Sequence, residues 1–309
     1  MKLISIVTSC RNEEDNIEGL YHEVCAQFEK LPDYTFELII IDNASQDRTV
    51  EILRKLAQTD PRVKVILNTR DFGHIRAPYH ALLQARGDAV IGMVSDLQDP
   101  PGLIPEFVRL WEQGNKVVMG VRTKSDEPRL VFALRRFYYR LLRRISDVEL
   151  VENFTGFGLY DRQVVEIIRE LNDPYPYFRG LVADIALPSA RVEFVQQRRK
   201  GGRTKNSLYT LFDLALLGMT SYSKLPLRLA TLVGFACATL SFLVALFYFV
   251  YKLLYWRSFA LGLAPLVVGI FFFSSVQLFF LGIVGEYVGS IHTYVRKMPP
   301  VVEKERINF

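Results

Sequence analysis

Charged residues are spread unevenly along the 309-residue chain, and their distribution divides it into two parts. They recur every few positions over the first two thirds, whereas residues 225–291 carry almost none. An apolar region of that length is typical of a membrane-embedded segment. The pattern predicts a soluble domain at 1–205, a juxtamembrane amphipathic segment at 206–226, two transmembrane helices within 227–292 and a tail at 293–309.

The first part alternates short apolar runs with segments of helical periodicity. The apolar runs predict strands at Leu3–Ser9, Phe36–Asp42, Val63–Leu67, Ala89–Val94 and Lys116–Gly120. The periodic segments predict helices at Asn16–Phe28, Thr49–Ala57, Ile75–Ala85 and Leu103–Trp111. This alternating order favours an α/β fold, in which a parallel sheet is covered by helices on both faces.

Polar clusters follow four of the predicted strands. They begin at Arg11, Asp42, Arg70 and Asp96. Ligands of such sheets bind beyond the carboxyl ends of the strands, so the four clusters together predict one binding edge. For any single cluster the alternative is capping of the next helix, by residues such as Asp15, Ser45 and Asp47.

Two uncharged runs, Leu229–Tyr251 and Phe259–Val284, lie in the apolar region. Each exceeds the roughly 20 residues that cross a bilayer core. The short connection Lys252–Ser258 predicts an antiparallel hairpin. Basic residues are more frequent outside the hairpin than in this connection, which favours a cytoplasmic location for the soluble domain and for both termini. The apolar stretch that ends at Arg11 is too short for a signal-peptide core, in agreement with that orientation.

The net charge of +5 could indicate a nucleic-acid partner. Many of the basic residues, however, collect close in sequence to the apolar region, where anionic lipid headgroups attract them. We therefore expect membrane lipids and phosphate ligands as partners, and no nucleic acid. The basic segment Arg129–Ile145 has the amphipathic pattern of a helix that lies on a membrane, and packing against the sheet is the alternative.

Acidic residues at two strand ends suggest a nucleoside diphosphate bound together with a divalent metal. Mg²⁺ and Mn²⁺ prefer oxygen ligands, usually one or two carboxylates completed by phosphate and water. Asp96 is the candidate carboxylate, with Gln98 or Asp99 close by. Neither a G-x-x-x-x-G-K-[ST] loop nor a G-x-G-x-x-G turn follows a strand, which excludes P-loop and Rossmann sites.

Five motifs, taken in order, resemble those of glycosyltransferase family 2, which has the GT-A fold. They are I-V-T-S-C-R-N-E-E at 6–14, I-D-N-A-S-Q-D-R-T at 41–49, D-L-Q-D-P-P at 96–101, G-V-R at 120–122 and R-K-G-G-R-T-K at 199–205. Within the family, the chain is most similar to the polyisoprenyl-phosphate glycosyltransferases, such as bactoprenol glucosyltransferases and dolichyl-phosphate mannose synthases. The resemblance implies a GT-A nucleotide-sugar-binding sheet with helices on both faces, plus a C-terminal two-helix transmembrane hairpin.

The resemblance also implies roles for individual residues. The nucleotide-binding residues are Ser9, Arg11, Glu13, Asp42 and Asp96. The metal, Mg²⁺ or Mn²⁺, is held by Asp96 and Gln98. The lipid phosphate is received by Arg122 and Arg136, and phosphates of the donor or the lipid are screened by Arg199 and Lys205. The expected catalytic set is Asp96, Arg122, Arg199 and Lys205. The alternatives are solvated loop charges for Arg199 and Lys205, and a headgroup contact for Arg136.

Two departures from the family pattern matter. Relatives often have Asp two positions before Asp96, where this chain has Val94. Relatives often read G-D-F-R-L where this chain reads T-G-F-G-L at 155–159, so the carboxylate proposed there as a base is absent, and Asp161 is interpreted as a helix cap. A phosphate monoester has a second pKa of about 6 and is largely dianionic at neutral pH, so it needs positioning more than deprotonation.

The expected activity is inverting transfer of a hexose onto polyisoprenyl (undecaprenyl or dolichyl) phosphate at the cytoplasmic membrane face, in cell-envelope assembly. UDP-glucose is the favoured donor, and transfer of mannose or another sugar to the same lipid is the alternative. A processive polysaccharide synthase would require a Q-x-x-R-W motif, which neither Trp111 nor Trp256 forms. A lipid flippase or an inactive scaffold is the non-enzymatic alternative. The resemblance further implies a homo-oligomer.

Overall fold

An eight-stranded mixed sheet forms the centre of the domain that precedes the apolar helices. The computed structural model describes residues 1–124, 150–197, 216–255, 263–296 and 298–309. The strands are β1 (Lys2–Cys10), β2 (Tyr34–Asp42), β3 (Val63–Asn68), β4 (Ala89–Gly92), β5 (Val117–Lys124), β6 (Phe154–Asp161), β7 (Ser189–Val195) and β8 (Glu303–Ile307). The helices are α1 (Ile17–Phe28), α2 (Thr49–Thr59), α3 (Gly73–Gln84), α4 (Ile104–Glu112), α5 (Arg162–Leu171), α6 (Phe178–Ile185), α7 (Leu225–Leu254) and α8 (Leu263–Val295). A 3₁₀ turn, Pro101–Leu103, precedes α4, and residues 216–222 are helical.

The strand order across the sheet is β7-β5-β6-β4-β1-β2-β3-β8. The first four strands run parallel, as the sequence predicts, and β7 runs parallel to β5. β6 lies antiparallel between β4 and β5, and β8 pairs antiparallel with β3 at the opposite edge. The predicted α/β class is therefore confirmed. Three strands that the sequence does not predict extend the sheet, the antiparallel β6 and β8 and the parallel β7.

The central strands bury side chains on both faces of the sheet. On one face Ile4, Ile6 and Leu38 are fully buried in a core completed by α1, α2 and α4. On the other face Ile39 and Ile41 are fully buried in a core completed by α3, α5 and α6. Each such side chain stabilises the fold by about 1.5–3 kcal/mol, so the strand ends are held on a rigid platform.

Strand β6 contains two glycines, which obscure it in the sequence. A Cβ atom at Gly158 would overlap the carbonyl oxygen of Val118 on the neighbouring β5, so this position accepts only glycine. Glycine inside an apolar run argues against a strand at the level of sequence. The close approach of β5 and β6 explains both the glycine and the missed prediction.

Strand β8 lies within the segment that the sequence analysis assigned to the C-terminal tail. Its register with β3 runs from Asn68↔Glu303 to Val65↔Ile307. Arg54 forms a two-pronged ion pair with Glu305, and His80 contacts Glu303. The short, charged β8 closes the open edge of β3, which is a common protection of sheet edges.

Helices α7 and α8 expose most of their described apolar side chains. Each contains a 27-residue stretch long and apolar enough to cross a membrane, Leu225–Tyr251 in α7 and Gly269–Val295 in α8. Both predicted apolar helices are thus present. Helix α8 continues eleven residues beyond the uncharged run Phe259–Val284, because the single charge of Glu286 does not interrupt a helix.

The end of α8 contacts the catalytic domain. The Tyr294 hydroxyl donates to Asp173 at 2.9 Å, in the loop between α5 and α6, and the Tyr287 hydroxyl donates to the Ser223 carbonyl. Eight residue steps separate the end of α8 from the start of β8. An extended chain of that length covers at most about 28 Å, so the apolar hairpin is tethered close to the end of the sheet where β8 begins.

Candidate active site

Loops from three neighbouring parallel strands meet at one edge of the sheet, here called the rim. In register, Cys10 of β1 pairs with Asp42 of β2, and Val7 of β1 pairs with Gly92 of β4. Asp42 ends β2 and Asp96 follows β4, so both acidic residues lie at the rim with β1 between them. Neighbouring strands are about 4.8 Å apart, and the two loops therefore start about 10 Å from each other.

Four non-glycine residues at the rim have left-handed backbone conformations. They are Asn12 (φ 55°), Ala44 (φ 56°), Leu97 (φ 60°) and Asn153 (φ 60°). Each belongs to a loop that follows β1, β2 or β4 or precedes the antiparallel β6. Such conformations are rare for a bulky residue like leucine and concentrate at functional sites. Asparagine tolerates this conformation better than most residues, whereas Ala44 and Leu97 give no sign of it in the sequence.

The loops after β1 and β2 are joined by hydrogen bonds. The backbone N–H of Asn12 donates to the Ser45 hydroxyl at 2.9 Å, and the N–H of Gln46 donates to the Asn12 side chain at 2.8 Å. Asp42 is 1% exposed, and its carboxylate accepts hydrogen bonds from the Ser45 backbone N–H and the Ser45 hydroxyl. Its carboxylate thus shapes the loop that was predicted to bind the nucleotide.

The remaining predicted nucleotide-binding residues also lie at the rim. Arg11 forms an ion pair with Asp71 in the loop after β3. Glu13 is buried and accepts a hydrogen bond from Asn16 at 2.6 Å, beside the start of α1. Ser9 is half-buried near the end of β1. The structure therefore brings Ser9, Arg11, Glu13, Asp42 and Asp96 to one edge of the sheet.

Helix capping, the alternative interpretation of the acidic clusters, applies to Asp47. Its carboxylate accepts hydrogen bonds from the backbone N–H of Thr49 at 3.0 Å, at the start of α2, and from the N–H of Glu14. Burial raises the pKa of Asp47, but the bonds from Thr49 and Glu14 outweigh it, and the net shift is downward. Asp47 therefore stabilises the loop as an anion.

The loop after β4 carries the predicted metal ligands. Asp96 is half-buried and accepts a hydrogen bond from the Gln98 N–H at 3.2 Å. Val94 is 38% exposed at the position where relatives often have Asp. Within the described ranges, no three His, Cys, Asp or Glu side chains gather in a way that could hold a metal ion. One carboxylate and one amide fit a Mg²⁺ or Mn²⁺ ion whose other ligands are phosphate and water.

Asp99, in the same loop as the predicted metal ligands, forms an ion pair with Arg122. Its carboxylate accepts from the Arg122 guanidinium at 3.2 Å and from the Val94 N–H at 3.2 Å. The side chains of Asp99 and Arg122 are 2% and 20% exposed. Burial raises the pKa of Asp99, and the charge of Arg122 partly offsets that shift. Of the two residues considered as a partner for Asp96, the structure leaves Gln98 beside it and commits Asp99 to Arg122.

Asp161 lies at the opposite end of the sheet from the rim. It accepts hydrogen bonds from the Gln163 N–H at 2.9 Å, at the start of α5, and from the Trp111 indole N–H at 2.7 Å. Lys116 completes its surroundings at 3.1 Å. The interpretation of Asp161 as a helix cap is confirmed.

Three predicted site residues, Arg136, Arg199 and Lys205, lie outside the residues that the structure describes. The same holds for the basic segment Arg129–Ile145. Their assignments remain predictions.

Comparison with known proteins identifies the family. The model of glycosyl transferase family 2 matches residues 5–168. The chain is 35% identical over 96% of its length to an uncharacterized glycosyltransferase, YkcC, from Bacillus subtilis, covering 91% of that protein. It is also 35% identical over 98% of its length to an SfII prophage-derived bactoprenol glucosyl transferase from Shigella flexneri, covering 97% of it.

A solved structure gives a more distant likeness. Glucosyl-3-phosphoglycerate synthase from Mycobacterium tuberculosis, in complex with Mn²⁺, UDP and phosphoglyceric acid, is 23% identical with a TM-score of 0.46. The match covers 71% of this chain and 76% of that one. With a family model that matches more than half of the chain and relatives similar over nearly all of it, the chain belongs to glycosyl transferase family 2 and is a glycosyltransferase.

Proposed function

We propose that this glycosyltransferase moves glucose from UDP-glucose onto a polyisoprenyl phosphate, with inversion at the anomeric carbon. One observation carries the choice of a membrane-lipid acceptor: α8 ends at Val295, and the chain re-enters the sheet at Glu303, beside the rim end of β3. The apolar hairpin is therefore tethered to the edge that carries Asp96 and Arg122. Relatives named bactoprenol glucosyl transferase support the acceptor and the sugar.

The sheet also supports the orientation of the hairpin. Both apolar helices lie between β7 and β8, which belong to one sheet. Because β8 belongs to the same sheet as β7, the segments before α7 and after α8 must lie on the same side of the membrane. If α7 crosses the membrane outward, α8 must therefore cross it back. Basic residues beside the hairpin, Lys224, Arg228 and Arg296, favour the cytoplasm for that side.

The chemistry we propose depends on positioning and on charge. The acceptor phosphate is dianionic at neutral pH and attacks the anomeric carbon without a side-chain base. Arg122 binds and orients this phosphate, and Arg136 assists it near the membrane surface. Ser9, Arg11, Glu13 and Asp42 form the nucleotide-binding part of the rim.

Negative charge that develops on the leaving diphosphate must be stabilised. Asp96 and Gln98 would hold Mg²⁺ or Mn²⁺ beside the diphosphate, and such an ion supplies Lewis-acid stabilisation of the leaving group. Arg199 and Lys205 add positive charge toward the phosphates. The half-buried position of Asp96, with its single carboxylate, supports a metal that is bound together with the nucleotide.

The test is transfer of radiolabelled sugar to undecaprenyl phosphate by the full-length protein in vesicles. We expect label transfer from UDP-glucose, a requirement for Mg²⁺ or Mn²⁺, and no transfer from GDP-mannose. Transfer from GDP-mannose alone would refute the donor, and no transfer to the lipid from any nucleotide-sugar would refute the acceptor.

The protein is also proposed to be a homo-oligomer. Light scattering of the detergent-solubilised protein measures its oligomeric state.

The variant Asp96→Ala tests the metal assignment. We expect transfer to fall by at least about 100-fold, since removing one electrostatic stabiliser of a transition state commonly costs 10²–10³ in rate. Far-UV circular dichroism should be unchanged, because Asp96 is half-buried in a loop. Undiminished turnover by Asp96→Ala would contradict the assignment.

A further inference from the structure

We propose that Asp99 is a positioning residue, which holds the guanidinium of Arg122 toward the acceptor phosphate and ties it to the loop that carries Asp96. This inference rests on the proposed function of Arg122. It adds a role for a residue that touches neither substrate.

Asp99 connects two parts of the candidate site. Its Oδ1 accepts from Nη2 of Arg122, at the end of β5, and its Oδ2 accepts from the Val94 N–H, at the start of the loop after β4. The backbone N–H of Arg122 also donates to the Asn153 carbonyl at 3.3 Å, so the strand is fixed beneath the side chain. A single carboxylate thus sets the separation between the metal loop and the arginine.

The burial of the pair indicates that its geometry is specified. Asp99 is 1% exposed, and a buried carboxylate persists in a fold only when it is paired and hydrogen-bonded. Each of its two oxygens has a donor, one of which is a rigid backbone N–H. The position of Arg122 is therefore determined by a group that cannot itself move.

The Arg122 guanidinium keeps donors for an anion. It carries five N–H groups, and its Nε is buried without a hydrogen-bond partner among the described residues. A buried donor left without an acceptor is unfavourable, and phosphate oxygens are suited to a planar guanidinium. Asp99 anchors the guanidinium through Nη2, and the Arg122 side chain remains 20% exposed, which leaves part of it accessible to an anionic ligand.

The chain offers a matched control in Asp161. Asp99 pairs with Arg122 at the rim end of β5, and Asp161 pairs with Lys116 beside the other end of that strand. Both carboxylates are buried, and both accept from a backbone N–H. Replacement of Asp161 therefore reports the general effect of losing a buried carboxylate, without any effect on the rim.

The experiment measures steady-state transfer by full-length Asp99→Ala in vesicles, with each substrate varied in turn. We expect the KM for undecaprenyl phosphate to rise about tenfold or more, the usual effect of losing a charged hydrogen bond. The KM for the nucleotide-sugar should rise less than the KM for undecaprenyl phosphate, because Asp99 contacts the Arg122 side chain directly and the Asp96 loop only through the Val94 N–H. Asp161→Asn should lower thermal stability and leave both KM values unchanged.

A double-mutant cycle decides whether Asp99 acts through Arg122. If it does, Asp99→Ala causes no further rise in the acceptor KM in a protein that already carries Arg122→Ala. An equal rise in both backgrounds would overturn the inference. So would a wild-type acceptor KM in Asp99→Ala while Arg122→Ala raises it.

Results that refute the proposed function differ from those that refute the role of Asp99. An unchanged acceptor KM in Arg122→Ala refutes the phosphate-binding role itself, and the absence of lipid transfer by the wild type refutes the acceptor. Should Asp99→Ala not fold, Asp99→Asn preserves the shape of the side chain and an acceptor for Val94, and the same comparisons apply to it. Binding of UDP, measured by calorimetry, verifies that each variant retains an intact nucleotide site.

Discussion

At the scale of single residues, carboxylates serve different purposes at the two ends of the sheet. Asp42 and Asp47 shape the rim loops, and Asp96 is the half-buried acid in the loop after β4. Asp161, at the far end, accepts hydrogen bonds from Trp111 and Gln163 and contacts Lys116. The sequence places these four acids near strand ends, and their separate roles emerge from the partners that the fold supplies.

The partners of Asp161 give a prediction for the pH dependence of stability. Burial raises the pKa of Asp161, but the bonds from Trp111, Gln163 and Lys116 outweigh it, so the folded-state pKa lies below the ordinary value of 3.8. A carboxyl with a lowered pKa stabilises the fold above its unfolded-state pKa, and this contribution disappears as the pH falls through the folded-state pKa. We therefore expect Asp161→Asn to lower the melting temperature at pH 7.

That difference from wild type should shrink as the pH is lowered below about 4, where the unfolded chain also binds the proton. Differential scanning fluorimetry of the detergent-solubilised protein across the pH range measures both curves. A melting-temperature difference that stays constant down to pH 3 would contradict the assignment.

At the scale of secondary structure, the predictable elements are those with local patterns. β1 to β4 and the helices between them follow continuous apolar runs and helical spacing, and their observed bounds differ little from those predicted. β6 was missed because Gly156 and Gly158 interrupt its apolar run, although close contact with β5 requires glycine at 158. β8 was missed because E-K-E-R-I is too polar to indicate a strand, and only its position at the open edge of β3 explains it.

In the candidate site, too, features with a local sequence pattern could be predicted and features that depend on tertiary contacts could not. The position of the acidic loops at one rim could be predicted, since parallel strands place their carboxyl ends together. The pairing of Asp99 with Arg122 could not be predicted. It joins the loop after β4 to strand β5, and the unpredicted β6 lies between these two strands. The left-handed conformations of Leu97 and Asn153 likewise depend on tertiary contacts.

Strand β8 gives a prediction at this scale. Deleting residues 303–309 removes the backbone partners of Val65 and Leu67 on β3, and the two hydrogen bonds from Asn308 to the carbonyls of Ala57 and Val63. We expect amide hydrogen exchange in β3 to accelerate by about tenfold or more. Without β8, the β3 amides can exchange through local opening of the sheet edge and no longer require global unfolding. Amides of β1 and β4 should remain protected, because each strand has neighbours on both sides. Unchanged exchange in β3 would show that β8 does not stabilise this edge.

At the scale of the whole molecule, contacts within the described part of the chain join the catalytic domain to the apolar helices and to the segment that precedes them. Tyr294 of α8 donates to Asp173, and the ring of Tyr222 packs against Gly180 of α6 and near Tyr177. A Cβ atom at Gly180 would overlap the Tyr222 ring and lie 2.8 Å from the Tyr177 ring. Domain and hairpin therefore meet at a tightly packed surface close to the rim.

Gly180→Ala tests the importance of this surface. The added methyl must displace Tyr222, and overpacking of this kind costs about 1–3 kcal/mol. We expect transfer to undecaprenyl phosphate in vesicles to fall several-fold, while the affinity for UDP is retained because Gly180 and Tyr222 are not among the predicted nucleotide-binding residues. Gly102→Ala is the matched control, since a Cβ atom there meets nothing within 4 Å. Equal lipid transfer by both variants would indicate that this contact does not position the rim.

The pairing of β8 with β3 also constrains how the protein is made. In the chain, β1 to β7 precede the apolar helices and β8 follows them, so β8 can pair with β3 only when both ends of the hairpin lie on the same side of the membrane that we propose it to cross. A chain that inserted one helix and left the other outside would deliver β8 to the wrong compartment. Its β3 edge would stay bare, with unpaired backbone groups that invite aggregation or degradation. Under the proposed two-span topology, the complete sheet therefore requires that both apolar helices insert together.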